Sequence, residues 1–381
     1  MKAPVSYSLI ELVRYFLRLG TLGFGGPPAL VSAMHRDLVV ERGWITEADY
    51  REGMALAQLA PGPLAAQLAI YLGYVHYGIW GATLTGVAFV LPSFVIVLAL
   101  SWLYVRFEGL PGLQASFYGI GAAVIGIIAI GTYRLTIKTV GNDRLGWTLF
   151  CLSALATAIA ESELLWLVLL SGGIYWFVKA PPAFIRPGVG GSLAPFLTQV
   201  LALPPDSVLW KLAVFFTKAG AFVFGSGLAI VPFLYGGVVK ENGWLTEQQF
   251  LDAVAVAMIT PGPVVITVAF IGYLVAGLPG ACVAALATFL PCYVLTILPA
   301  PYFKRWGKHP GIKAFVDGVT VAAVGAIAGA VFVLGRRQLV DVPAMLIAIG
   351  TVGVLYRFKK IPEIGLIGAA AAIGLLLRSL P

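Results

Sequence analysis

Two short stretches carry residue types that can hold a charged solute inside a membrane: Ala60-Pro61-Gly62-Pro63 and Thr260-Pro261-Gly262-Pro263. Proline gives no N–H to a helix ladder, and glycine loses the most entropy on ordering, so each triplet breaks the apolar helix it interrupts. Hydrocarbon cannot satisfy the backbone groups freed at such a break. They must face protein, a water-filled cavity or a ligand. Helix N-termini there present free N–H groups and a positive dipole end, which suit an anion.

Other residues fit the same chemistry. Phe24-Gly25-Gly26-Pro27 and Phe224-Gly225-Ser226-Gly227 read as backbone N–H nests beside a helix start, able to cradle a tetrahedral oxyanion. Close helix packing through glycine is the plainer reading. Arg18 and Lys218 stand six residues before the matched phenylalanines. A cation in both places suits a dianion, and equally suits a side chain snorkelling from a helix end. Gln58, Gln67, Thr260 and Thr267 lie within two turns of the breaks; they can donate to an oxyanion or to a neighbouring helix. Glu52 and Asp252 also match in position. They can couple a proton to anion movement, or simply stabilise a helix N-terminus. His35, His76 and His309 have no matched partners, which argues against a shared histidine relay. Cys151, Cys282 and Cys292 lie in apolar segments without metal spacing. No metal or cofactor is expected.

The elements that must position these residues are membrane helices. Of 381 residues 60% are hydrophobic and 11% charged, against about a quarter charged in soluble domains. The apolar run Gly81–Leu103 has bilayer length, with a kink expected at Pro92. A β-barrel would alternate polarity over short segments, which this chain does not. The net charge of +8 is scattered through short loops and matches no nucleic-acid motif; cytoplasmic loops account for it. Glu11, Arg14 and Arg18 interrupt the first apolar stretch, which excludes a cleavable signal peptide and gives the first helix one charged face. Thr46 and Asp49 read as a helix cap and Trp44 as an interface anchor.

The chain then repeats itself. With a shift of 200, Gly20 matches Gly220 and Glu41-x-Gly43-Trp44-x-Thr46-Glu47 matches Glu241-x-Gly243-Trp244-x-Thr246-Glu247. With a shift of 199, Gly73 matches Gly272, Gly81 matches Gly280, Leu91-Pro92 matches Leu290-Pro291 and Pro111-Gly112 matches Pro310-Gly311. The expected architecture is an all-α polytopic membrane protein. It has two homologous halves, 1–180 and 207–381, joined by a Pro- and Gly-rich linker at 181–206. The pieces flanking each Pro-Gly-Pro are too short to span alone, so they form a re-entrant hairpin or one discontinuous helix; the sequence leaves both open. Loop charge favours inverted-topology repeats. Arg106 and Glu108 cancel, whereas the matched loop carries Lys304, Arg305, Lys308 and Lys313. The Arg134–Arg144 loop, Lys179 and Arg357 then fall inside and Glu161 outside, with Arg336-Arg337 as the exception. This arrangement expects an odd number of crossings per half. Inverted repeats with discontinuous helices at matched positions point to a secondary transporter with its site at the repeat interface.

Phe24-Gly25-Gly26-Pro27-Pro28, the Gly-Trp loop, Pro61-Gly62-Pro63 and the diverged second copy resemble the chromate ion transporter family in its long, two-domain form. The resemblance covers essentially the whole chain. It implies a multi-pass protein of a prokaryotic cytoplasmic (inner) membrane that exports chromate and gives chromate resistance, with sulfate as the similar competing anion. Gly225-Ser226-Gly227-Leu228 departs from Gly25-Gly26-Pro27-Pro28, so the halves need not contribute equally. The expected partners are a chromate- or sulfate-like oxyanion and the lipid bilayer, with no nucleic acid and a second copy of the chain as a candidate homodimer partner. The competing readings are a transporter or channel for another anion such as sulfate, and a membrane-embedded lipid-processing enzyme. The enzyme would need a nucleophile, metal cluster or carboxylate pair that does not stand out, and the protein is read as not an enzyme.

Overall fold

The computed structural model describes residues 7–24, 26–107, 111–161, 165–181, 207–222, 230–303, 309–358, 361 and 363–379, and their regular structure is all helical. The first copy contains α1 (Leu9–Leu22), α2 (Gly26–Met34, continued by a π-helix His35–Glu41), α3 (Glu47–Leu59), α4 (Leu64–Phe107), α5 (Pro111–Val140), α6 (Arg144–Ala160) and α7 (Leu165–Lys179). The second contains α8 (Val208–Phe222), α9 (Ile230–Leu234, continued by a π-helix Tyr235–Glu241), α10 (Glu247–Ile259), α11 (Thr267–Ile297, after a short 3-10 turn), α12 (Pro310–Gln338), α13 (Val342–Arg357) and α14 (Glu363–Ser379). Even the local devices recur. Thr46 and Thr246 both N-cap the following helix through their side chains.

Each copy opens with two helical hairpins that dip into the membrane and return. Ser8 starts α1 with a capping box to Glu11. Tyr15 on α1 donates to Asp37 at 3.2 Å, and the Tyr7 ring stacks on Trp44 at 4.8 Å, so α1 and α2 run antiparallel about residue 25. In the next hairpin Gly53 on α3 lies against Leu68 and Tyr71. Gln67 Nε2 donates to the Pro61 carbonyl at 2.8 Å. The arms therefore fold back at Gly62, which resolves the alternative left open above in favour of a re-entrant hairpin. The free ends of both hairpins meet: Tyr7 shares a hydrogen bond with His76 Nδ1 at 2.6 Å, and Tyr77 donates to the Tyr7 carbonyl. This side is called the near face.

A second fold-back follows inside α4. Gly78 adopts φ 59°, ψ −147°, a left-handed conformation that favours glycine. Its counterpart Gly277 adopts φ 60°, ψ −152°. The arms then press so closely that a Cβ on Gly73 would sit 2.4 Å from the Gly81 carbonyl oxygen, and one on Gly272 2.3 Å from that of Gly280. The matched glycine pairs are thus the contact surfaces of two tight turns. The sharp turn is at Gly78, whereas dihedral angles stay helical through Pro92.

From Gly78 the chain runs back and forth through four helices, the long arm of α4 and then α5, α6 and α7; α4 and α5 are long and apolar enough to cross a membrane, and α6 and α7 are shorter apolar helices. Lys179 returns to the near face, where it pairs with Asp143 at 2.8 Å. The odd number of crossings expected per half depends also on the segment between Pro181 and Ser207, which lies outside the described residues but for these two. The halves are inverted. Thr83, at the start of the long arm of α4, hydrogen-bonds Tyr293 near the end of α11. Tyr104, near the end of that arm, contacts Phe270 at 5.3 Å between rings, at the start of α11. Helices also exchange partners between copies: α12 packs on α6 and α7, and α5 on α13 and α14. Lipid is as apolar as leucine, so such contacts depend on close packing rather than on the hydrophobic effect. Glycines supply it: a Cβ on Gly119 would lie 1.9 Å from the Ala370 carbonyl oxygen, and one on Gly329 2.4 Å from that of Ala154.

The loops assigned to one side by charge share the near face: Arg144, Lys179, Lys313 and Arg357 all end there, and Glu161 ends on the far face. Arg336-Arg337 also lies on the far face, and the structure supplies the reason it is tolerated. Arg337 bonds both Glu161 and Glu247, and Lys240 binds Glu161 at 2.8 Å. Hydrogen bonds from Lys240 and Arg337 hold the Glu161 carboxyl at about 2, down from 4.5. A depressed carboxylate contributes its stability fully above its ordinary pKa and loses it as pH falls through the folded value. The thermal-melting difference between the unmodified protein and Glu161→Gln is therefore expected to be largest above about pH 4.5 and to vanish near pH 2.

Candidate functional site at the hairpin tips

The Pro-Gly-Pro tips are built by the opposite copy as much as by their own. Gly62 has φ 141° and Gly262 φ 93°, so each bends where a side-chain residue would be strained. The Gly262 N–H donates to the Gly23 carbonyl at 2.9 Å, joining the second copy's tip to the end of α1. Ser93 donates to the Pro261 carbonyl at 2.6 Å, and a Cβ on Gly262 would fall 2.0 Å from Ser93 Oγ. In the mirror-related position, a Cβ on Gly62 would meet Cys292 Sγ at 2.9 Å. Ser93 and Cys292 each follow the helix proline of their copy, Pro92 and Pro291. Each tip thus rests on the residue after the other copy's proline. The repeat contained this signal, since the prolines were matched, but serine and cysteine share no obvious chemistry and sequence reasoning missed both.

Among the predicted residues, Gly62, Pro63, Thr260, Pro261, Gly262 and Pro263 are buried together with Ser93 and Cys292, and Pro61 is half-buried. Gly26 and Pro27 open α2, and Phe24 is 43% exposed. Gly25, Phe224, Gly225, Ser226 and Gly227 lie outside the described residues. Thr260 spends its hydroxyl on the Val256 carbonyl of its own helix at 2.6 Å, and Thr267 on Val264 at 2.8 Å. Gln67, fully buried, closes its own tip through Nε2, while its Oε1 has no hydrogen-bond partner among the described residues. The first turn of α4 directs N–H groups without helical acceptors at the same place.

The two cations are elsewhere. Arg18 and Lys218 lie on exposed faces of α1 and α8, and no hydrogen bond or ion pair among the described residues ties them to the tips. Arg14, Arg51 and Gln58 are also exposed. At membrane depth such a face needs water or protein rather than lipid. The second copy is different, because Leu251 and Met258, which match Arg51 and Gln58, are buried. Helix α10 packs on α5 and α14, whereas α3 makes no comparable packing on α12 and α7. Among the described residues, α3 is therefore the less covered of the two matched helices.

The two carboxylates also differ. Asp252 is 3% exposed and accepts from Tyr104 at 2.7 Å, across the repeat interface, and from Gln248 at 2.8 Å. Glu52 is half-buried and bonds Tyr71 within its own hairpin.

With this geometry in place, comparison with known proteins gives a direct answer. The chromate transporter family profile matches residues 10–176 and again 210–375. The chain belongs to the chromate transporter family. It is 64% identical over 375 residues to a chromate transport protein of Cupriavidus metallidurans, covering 97% of this chain and 94% of that protein. A probable chromate transport protein of Synechococcus elongatus is 60% identical, covering 97% and 96%. A chromate transport protein of Pseudomonas aeruginosa is 30% identical, covering 98% and 93%. No solved structure matches. For this member of the chromate transporter family the double match coincides with the two inverted copies, so the family's repeating unit is one pair of hairpins plus its crossing helices.

Proposed function

We propose that this protein is a secondary transporter that exports chromate across the cytoplasmic membrane, and not an enzyme. One observation carries the reading: discontinuous elements of both inverted copies converge, with Gly262 N–H on the Gly23 carbonyl. That is the arrangement in which solute sites of inverted-repeat transporters lie. The near face, which holds most of the described lysines and arginines, is the cytoplasmic one. Chromate enters from there along the exposed face of Arg14, Arg18, Arg51 and Gln58. It is held at the tips by backbone N–H groups of the α1–α2 turn (Phe24, Gly25, Gly26), of its counterpart (Phe224, Gly225, Ser226, Gly227) and of Gly62, while Pro27, Pro61, Pro63, Thr260, Pro261 and Pro263 shape the turns and Gly262 ties its tip to Gly23. Lys218 serves the outer passage. Glu52 and Asp252 couple proton movement to the anion. An inside-negative potential aids expulsion of a dianion, by roughly 2.3 kcal/mol per charge per 100 mV.

The test is uptake of labelled chromate by everted vesicles. Energised vesicles containing the protein are expected to accumulate chromate severalfold over vesicles lacking it, with excess sulfate competing. Equal uptake with and without a gradient would replace the transporter by a channel. Uptake of sulfate alone would reassign the substrate.

A further inference from the structure

The far-face ion pairs have a counterpart written into the first copy but not formed. On the far face, Arg337 in the last turn of α12 bonds Glu247 at the start of α10. Tyr235 holds the same carboxylate at 3.1 Å. With the repeat shifts, Arg337 matches Lys138, Glu247 matches Glu47 and Tyr235 matches His35. On the near face His35 indeed holds Glu47, at 2.8 Å, as Tyr235 holds Glu247. The cation is what differs. Lys138, in the last turn of α5, is exposed and makes no ion pair among the described residues, and Glu47 turns to Arg51 at 2.7 Å instead.

Resting on the transporter reading above, we propose that Lys138 and Glu47 form the near-face gate of the transport cycle, opposite a far-face gate of Arg337, Glu247, Glu161 and Lys240. Three observations agree. The second copy's hairpin packs against α5 and α14 where the far gate is closed. The first copy's hairpin stands off α12 and α7 where the near pair is apart. The exposed Arg51 and Gln58 match the buried Leu251 and Met258. In inverted repeats, exchanging the conformations of the copies converts an inward-open state into an outward-open one. The exchange swings the α3 start toward the end of α5 and joins Glu47 to Lys138. It draws the α10 start away from α12 and parts Glu247 from Arg337. Opposite charges at matched positions, one pair joined and one apart, are what such a two-state device requires.

Two measurements test this. In everted vesicles, Lys138→Glu and Glu47→Lys are each expected to lower transport by about tenfold, a loss of about one ion pair plus a like-charge contact. The double exchange should recover most of it. Single variants at the unmodified rate, or a double variant as poor as the worse single, would overturn the gate. Independently, Glu47→Cys with Lys138→Cys, and Glu247→Cys with Arg337→Cys, are introduced into a chain carrying Cys151→Ala, Cys282→Ala and Cys292→Ala. A short bifunctional thiol reagent should bridge one pair or the other in a given molecule, never both. The far pair should dominate at rest. Both bridges in one molecule, or no near bridge under any gradient, would overturn it. The bridging needs no chromate, so a protein that closes the pairs alternately yet accumulates no chromate would refute the substrate and leave the gate standing.

Discussion

Replacing Gly262 with alanine is expected to lower chromate transport by roughly tenfold or more while leaving the protein in the membrane. Two costs act together. A Cβ there would fall 2.0 Å from Ser93 Oγ, inside any contact distance, and φ 93° is a conformation that costs an L-residue of order 1–3 kcal/mol. The tip must shift, and with it the bond from Gly262 to the Gly23 carbonyl that joins the copies. Transport should fall by roughly tenfold or more. The companion Ser93→Gly removes the clashing oxygen, so the double variant should recover part of the rate, the φ strain remaining. Vesicle uptake, normalised to the amount of protein in the membrane, reads both. Full activity of Gly262→Ala would reduce the motif to a passive turn. Gly62 is the weaker partner, because the atoms its Cβ would meet are Gln67 Nε2 at 2.8 Å and Cys292 Sγ at 2.9 Å, side-chain ends that can move.

Much of this architecture is legible in the residues because the repeat marks what geometry needs. Gly73 and Gly81 recur as Gly272 and Gly280 since two helical arms touch through them. Gly20 and Gly220 recur since a Cβ would lie 2.3 Å and 2.1 Å from the carbonyl oxygens of Phe89 and Thr288. Thr46 and Thr246 recur since each caps a re-entrant helix. Loop charge even pointed to the inversion. It could not account for Arg337, whose partners Glu161 and Glu247 come from distant turns. The choice between hairpin and spanning helix was not legible either. A short apolar arm has the same composition whether it returns or continues, and only its contacts decide.

The geometry of the candidate site was legible as backbone and much less so as side chains. Glycine and proline announce a break by their own conformational limits, whereas Thr260, Thr267 and Gln67 gave no sign that their polar groups would be taken up at home, by Val256, Val264 and Pro61. Arg18 and Lys218, matched in sequence, lie on exposed helix faces rather than at the tips. A charged side chain among apolar helices is costly unless paired, whereas backbone N–H groups at helix starts offer partial charge that is already oriented. A backbone shaped in this way can hold an anion in a membrane while the cations stay where water reaches them.

The second large effect is expected at Asp252. Its carboxylate is buried, bonded by Tyr104 from the other copy and by Gln248, at the interface that must move if α10 swings from α5. Asp252→Asn keeps the shape and can keep a bond to each partner after the amide and the Tyr104 hydroxyl reorient, so the fold should survive with little loss of melting temperature. What it removes is the proton-binding group. If Asp252 couples a proton to the anion, vesicles carrying Asp252→Asn should lose at least about tenfold of gradient-driven accumulation while still exchanging external for internal chromate. Tyr104→Phe separates the structural part. It deletes one hydrogen bond to a buried acceptor, at a cost of about 1–3 kcal/mol, and leaves the carboxylate able to titrate. A fall in melting temperature with coupling retained is expected. Equal loss of accumulation and exchange in Asp252→Asn would show that the carboxylate holds the interface rather than the proton, and Glu52, half-buried beside Tyr71 in the first copy's hairpin, would then be the remaining matched carboxylate able to carry it.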